Sequence, residues 1–170
     1  MEIYVVRHGF SAANNRDNRG KLAFGNKNAS LEEDGIAQAR HLGQVLLTQH
    51  GVDLSTTTVA TSTYTRAIET AAYAGFTKYA QYDVLNELEP GQTGIPRERV
   101  REVIESRDFP DEVLDEIDKT LENPPKEKIW ITHGFRIAAL CVALGQDDQF
   151  ENLRPEFCEV RKLVLPTGPK

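Results

Sequence analysis

Cysteine is almost missing from the sequence, with two in 170 residues. Two are too few for a disulfide framework, and neither Cys141 nor Cys158 sits in a metal-ligand spacing. Both read as buried or idle thiols in a reducing compartment. No uninterrupted apolar run is long enough to cross a bilayer, which sets aside a membrane-spanning role. Positive charge is not in excess: 20 Lys and Arg against 26 Asp and Glu leave a net charge of -6. That balance favours solubility and argues against nucleic acid or an anionic membrane as the main partner, though it leaves room for a locally basic pocket. Internal repeats and low-complexity tracts are absent as well. Core-like sequence begins at Ile3, leaving no room for a signal or transit peptide, so the expectation is a cytoplasmic protein. The remaining composition, 39% hydrophobic and 27% charged, fits one globular domain over residues 1–170.

The apolar pattern alternates between two periods. "IYVV" (residues 3–6) is a continuous β-prone run, as in a strand covered on both faces. Residues 12–29, rich in Asn and Gly and carrying Arg16, Arg19 and Lys21, predict a long irregular loop. Those three charges are either solvated or attract phosphate at a pocket mouth. Ser30 and Glu33 have capping-box spacing ahead of a helical stripe at Ala39, Leu42, Val45 and Leu46, ending near Gly51. "TTTVATS" predicts a second strand running into a short helix over "TYTRAIETAAYAG", and "YAQYDVL" a short third strand. Val100, Val103 and Ile104 suggest a helix broken near Pro110, followed by another through Val113, Leu114, Ile117 and Leu121. Its acidic residues, from Glu112 to Glu122, form the wet face. "KIWIT" is a fourth strand, "FRIAALCVALG" a buried helix that places Cys141 in the core, and "CEVRKLVL" a last strand at an edge. Strands alternating with helices predict an α/β three-layer sandwich: a largely parallel central sheet with helices on both faces.

Two of these strands end in His-Gly, at His8-Gly9 and His133-Gly134, and a third strand-to-helix junction delivers Arg66. Ligands in open α/β sheets bind beyond the carboxyl ends of the strands. Three distant stretches can therefore aim Arg7, His8, Arg66 and His133 at one place. Two guanidiniums can grip a phosphate in bidentate fashion and stay charged. A neutral imidazole can attack phosphorus while a second, protonated one stabilises the equatorial oxygens. Gly9 and Gly134 remove side chains where backbone must come close. Arginines beside a histidine disfavour its protonation, which keeps it nucleophilic. His41 and His50, on or just past a helix, have no partner motif and read as surface residues.

The same residues carry a family resemblance. "RHGFSAAN" resembles the R-H-G-(E/D)-(S/T)-x-x-N signature of the histidine phosphatase, or phosphoglycerate mutase-like, superfamily. "SLEEDGIAQARHLG" is similar to its L-(T/S)-x-x-G-x-x-Q-A helix, and "STYTRAIETA" to S-x-x-x-R-A-x-(E/Q)-T-A. "LNELEPG" is similar to L-x-E-x-x-x-G and "ITHG" to (S/T)-H-G. The matches fall in family order from residue 3 to about 145. The resemblance implies that His8 becomes phosphohistidine, that Arg7, Arg66 and His133 complete the phosphate pocket, and that Asn14 is a further contact. Glu87 matches the proton donor to the leaving group, with Glu89 as its rival. Phe10 and Glu32 depart from the pattern: an acid is usual at the first position and Thr or Ser at the second. Phe10 makes the pocket rim more apolar.

The expectation is therefore a metal-independent, cofactor-free phosphatase. Its substrate would be a small phosphorylated metabolite or a phosphoprotein, as a phosphomonoester or a phosphohistidine. Mutase-type phosphoryl transfer is the alternative within the family. It is disfavoured because typical cofactor-dependent mutases are longer, with extra segments that enclose their substrate. From another class, a catalytically weak phospho-ligand binding module would be expected to have lost a pocket residue, and none of His8, Arg7, Arg66 and His133 is missing.

Overall fold

The structure, a computed structural model, describes residues 1–168. A five-stranded sheet forms its centre, built from β1 (Glu2–Arg7), β2 (Thr58–Thr61), β3 (Lys78–Gln81), β4 (Ile129–Thr132) and β5 (Val160–Val164). The spatial order is β3-β2-β4-β1-β5. The first four strands are parallel; β5 joins β1 antiparallel at the edge. The expected α/β sandwich is what the chain forms.

Alternation along the strands sorts side chains between two cores. Ile3 and Val5 on β1, with Trp130 on β4, face α4 (Val100–Ser106), α5 (Asp111–Glu122) and α6 (Gly134–Ala143). Val6, Ile129 and Ile131 face the other way, onto α1 (Glu33–His50) and α2 (Thr65–Ala74). Helices on both faces explain why "IYVV" and "IWIT" are continuously apolar. Cys141 lies in the first of these cores, as its sequence context implied. His41 and His50 are exposed on α1.

One expectation fails. Ser30 does not cap α1; the helix starts at Glu33 with Glu32 as the N-cap residue and no side-chain cap. Ser30 is held instead in the extended segment beside residues 10–12, where its carbonyl accepts from Ala12 N–H. Leu31 makes a β-bridge with Ser11. Strand-like pairing with the loop after β1 thus displaced a local capping motif. A capping box forms elsewhere, between Glu89 and Gln92 at the start of the short α3 (Pro90–Thr93).

Candidate active site

β1 and β4 are neighbours in the sheet and β2 flanks β4, so their carboxyl ends emerge side by side. The ladder continues past the strands: His8 N–H donates to Thr132 O and Ser62 N–H to Ile131 O. His8 and His133 therefore stand edge to face with ring centroids 5.0 Å apart. Arg66, from the first turn of α2, donates Nε–H to His8 Nε2 at 3.1 Å. Arg7 lies on the far side, its Nη1 bonded to Pro155 O at 2.8 Å. The four residues expected to meet do meet.

The remaining motif positions hold this arrangement in place. Gly9 N–H donates to Thr70 Oγ1, and Phe10 N–H to Gln38 Oε1. Leu31 N–H donates to Glu69. A Cβ on Gly9 would come within 2.7 Å of Gly35 O, so the loop after β1 seats on α1 through two side-chain-free residues. A Cβ on Gly134 would stand 3.1 Å from Arg7 Nε, which explains the second His-Gly. Asn14 lines the cavity while its Oδ1 accepts from Ser11.

Hydrogen bonds fix the tautomers. His8 Nδ1 faces Gly9 O, an acceptor only, so Nδ1 carries the proton and Nε2 the lone pair. Asn86 Oδ1 accepts from Thr63 N–H and from Ser62 Oγ–H. With its proton so used, Ser62 Oγ accepts from His133 Nε2–H at 2.8 Å. Among the described residues, His133 Nδ1 is left buried without a partner. Both histidines are held well below the ordinary imidazole range. Burial is the main cause for each, followed by Arg66 and Arg7 for His8 and by His8 and Arg66 for His133. Arg7 is brought down to about 10, by burial first and by Arg154 second, and so stays charged at neutral pH.

The Glu87 carboxylate accepts N–H groups from Leu88 and from Phe135 and Arg136 in the first turn of α6. Burial nonetheless raises its pKa, outweighing those bonds and the nearby Arg66 and Arg136. Glu89 is committed elsewhere: it caps α3, accepts the Tyr64 hydroxyl and pairs with Arg97 at 2.7 Å. Arg136, buried, donates to Asn86 O and to Thr120 Oγ1, which steadies the segment carrying Glu87.

A cavity of about 1230 Å³ opens onto Arg7, Arg66 and Glu87, with Arg16 and Arg19 of the long loop at its edge; His8 and His133 are buried behind this lining. Lys21 does not line it. One wall is residues 151–157, which the sequence left without a role. Phe157 covers Arg7, with the guanidinium carbon 3.8 Å from the ring centre. Ser62, Asn86, Arg136 and Phe157 are thus residues whose parts the sequence did not disclose. Ser62 had a signal, its place in "STYTRAIETA". The others act through contacts with residues distant in the chain. Among the described residues, no group of three or more His, Cys, Asp or Glu side chains is placed to hold a metal ion.

A strand-end histidine pair flanked by two arginines on a mostly parallel sheet defines a phosphate-handling α/β protein. The family model of the histidine phosphatase superfamily (branch 1) matches residues 3–111, and the chain belongs to that family. Among solved structures, TTHB049 of Thermus thermophilus is similar at 22% identity and a TM-score of 0.62, over 98% of this chain and 95% of that one. The Rv3214 protein of Mycobacterium tuberculosis gives 18% identity and a TM-score of 0.62, over 98% and 92%. A phosphoserine phosphatase mutant of Entamoeba histolytica, in complex with phosphoserine, gives 15% and 0.60, over 98% and 92%. At these identities the likeness is one of fold. No curated protein matches the sequence.

Proposed function

We propose that the protein is a phosphatase that hydrolyses a small phosphomonoester through a phosphohistidine on His8. The observation that carries this reading is the His8 imidazole, with its proton on Nδ1 and its Nε2 beside the Arg66 guanidinium, which moves from Nε2 to the phosphoryl oxygens as Nε2 attacks. In the first step Nε2 attacks phosphorus and the P–O bond to the alcohol breaks. Arg7 and Arg66 neutralise the phosphoryl oxygens, and Asn14 adds a donor at the rim. Gly9 and Gly134, lacking side chains, let the loop after β1 seat on α1 and let Arg7 pack against the start of α6 beside the phosphate. Glu87, with its raised pKa, gives its proton to the departing alkoxide. In the second step the Glu87 carboxylate takes a proton from water, whose oxygen attacks the phosphohistidine and returns His8 and inorganic phosphate. His133 steadies the oxygens in both steps. The steps use only protein groups and water, and invoke no metal or cofactor.

The cavity, at about 1230 Å³, has room for the water that hydrolysis needs beside a small ester. Two free thiols, Cys141 and Cys158, support a reducing, cytoplasmic setting. No helix among the described residues is long and apolar enough to cross a membrane. The test is turnover of p-nitrophenyl phosphate in the presence of a chelator, with an acid-labile, alkali-stable phosphoryl label on wild type and none on His8→Ala. Release of phosphate without label on His8 would overturn the mechanism. Label passing only to an added alcohol would make the protein a transferase.

A further inference from the structure

The wall beside the phosphate-holding groups carries chemistry that phosphoryl transfer does not itself require. Phe10 occupies the position where the family signature has an acid. Its ring meets Phe157 edge to face, with centroids 5.5 Å apart. Phe157 lies over Arg7, and its centroid stands 6.1 Å from that of His8. Both rings are half-buried and both line the cavity, so neither is absorbed into the core.

Phe157 is held in this position. Pro155 O accepts from Arg7, and Cys158 N–H donates to Arg7 O at 2.8 Å. Cys158 has a φ of 59°, an uncommon conformation for a residue with a side chain, and this turns the chain into β5 with Phe157 facing inward. Behind it, Arg161 donates to the carbonyls of Asn152 and Leu153, and Arg107 to that of Phe150. This wall lies outside residues 3–111, the stretch that the family model matches. It is a built feature that the family match does not account for.

We propose that Phe10 and Phe157 form a subsite for the alcohol part of the substrate and select phosphomonoesters of flat, aromatic alcohols. The inference rests on the phosphatase reading above, which places the phosphate among Arg7, Arg66, His8 and His133. Glu87 and the two phenyl rings line the same cavity, so an alcohol departing past Glu87 has the rings within that cavity to lie against. A polyhydroxylated alcohol laid there would lose hydrogen bonds to water that phenyl groups do not replace. An aromatic alcohol loses none, and it gains offset or edge-to-face contact with rings already set in that geometry. Arg154, on the same wall and close enough to Arg7 to depress its pKa, adds positive charge that suits the anionic ester.

The test uses phosphonates, which bind without being hydrolysed, titrated into the full chain by calorimetry. Benzylphosphonate is expected to bind on the order of tenfold tighter than methylphosphonate. Cyclohexylmethylphosphonate, equally bulky but without a π face, should fall a few-fold short of benzylphosphonate. Phe10→Glu and Phe157→Leu should each bring the benzyl-to-methyl ratio to within about twofold, the ratio being insensitive to a general loss of folded protein. Methylphosphonate binding with no benzyl preference in wild type would overturn the subsite and leave the phosphatase reading standing. Equal binding of the benzyl and cyclohexylmethyl compounds, or a preference that survives both substitutions, would also overturn it. No binding of any phosphonate, together with no turnover, would remove the phosphatase reading and the subsite with it.

Discussion

Arg66 Nε donates to His8 Nε2 across 3.1 Å, so the guanidinium proposed to hold the phosphate also holds the nitrogen proposed to attack it. This bond occupies the Nε2 lone pair, so attack on phosphorus requires Arg66 to exchange His8 for the arriving phosphoryl oxygens. Arg66 also bonds to Asn26 O in the long loop, and its guanidinium lies 5.0 Å from the Tyr64 ring centre. It is positioned from three sides.

Arg66→Ala is therefore expected to lower kcat/KM about 10²- to 10³-fold, the range for loss of one charged donor in a dry site. Arg66→Lys should recover little of this, because an ammonium lacks the planar fork that grips two phosphoryl oxygens at once. Steady-state kinetics on p-nitrophenyl phosphate decide the matter. Efficiency within a few-fold of wild type in Arg66→Ala would place Arg66 outside the catalytic group.

Glu87 and Glu89 are two residues apart in sequence, and the geometry gives them different work. Glu87→Gln should slow esters of poor leaving groups far more than p-nitrophenyl phosphate, since nitrophenolate departs without a proton and an alkoxide does not. Glu89→Gln should show no such dependence. It weakens a cap and a part-exposed ion pair, and should cost about 1 kcal/mol of stability. Comparing the two variants on both kinds of ester, with urea unfolding alongside, tests the assignment. Leaving-group dependence in Glu89→Gln instead would reverse the roles.

Ser62 is expected to act on catalysis through His133 and not by touching substrate. Its hydroxyl fixes the proton on His133 Nε2, which leaves Nδ1 as the ring's free acceptor. A neutral Nδ1 repels a phosphoryl oxygen; only a protonated one attracts it. Phosphate binding should then be accompanied by proton uptake, visible as a dependence of the calorimetric heat on the buffer's ionisation enthalpy. Ser62→Ala frees the tautomer, and should shrink that uptake and shift the acid limb of the pH–rate profile. An unchanged profile with lowered stability would make Ser62 purely structural.

The strand ends were legible because chemistry and periodicity coincide there. "YVVRHG" and "WITHG" each run from buried β to His-Gly, and a parallel sheet sets such ends side by side. The α1 cap misled, because Ser30 and Glu33 satisfy a local rule while the backbone at Ser30 pairs with the loop after β1. The wall at 151–157 was illegible for a different reason. Its place is set by Arg7 and Arg107, both distant in sequence, by Arg161 just beyond it, and by a positive φ at Cys158 that no residue preference announces. Likewise Asn86 reads as a loop residue until its side chain is seen to join Ser62 to the segment of Glu87.

Acid should destabilise the protein through the two histidines, and the sign follows from their depressed folded-state pKa values. Unfolded, both would titrate near 6.5. Above about 6.5 both are neutral in either state, so the stability they contribute is fully present. As the pH falls below that value the unfolded chain binds protons that the folded chain refuses, and stability is lost until the folded-state values are reached. Each such proton contributes about 1.4 kcal/mol per pH unit. Glu87 works in the opposite sense: its raised folded pKa gives stability present at low pH that is lost as the pH rises through that value. Wild type should therefore melt at progressively lower temperature from about pH 6.5 down to about pH 5.5, in buffers free of phosphate so that ligand does not mask the effect. His133→Asn should flatten that slope, since asparagine keeps a polar group in the site and takes up no proton. Glu87→Gln should remove this opposing contribution, since glutamine takes up no proton, and so steepen the loss of stability towards acid. Parallel curves for wild type and His133→Asn would mean that the imidazole takes up protons alike in the folded and unfolded protein, and would remove the neutral starting state from which its proton uptake was argued.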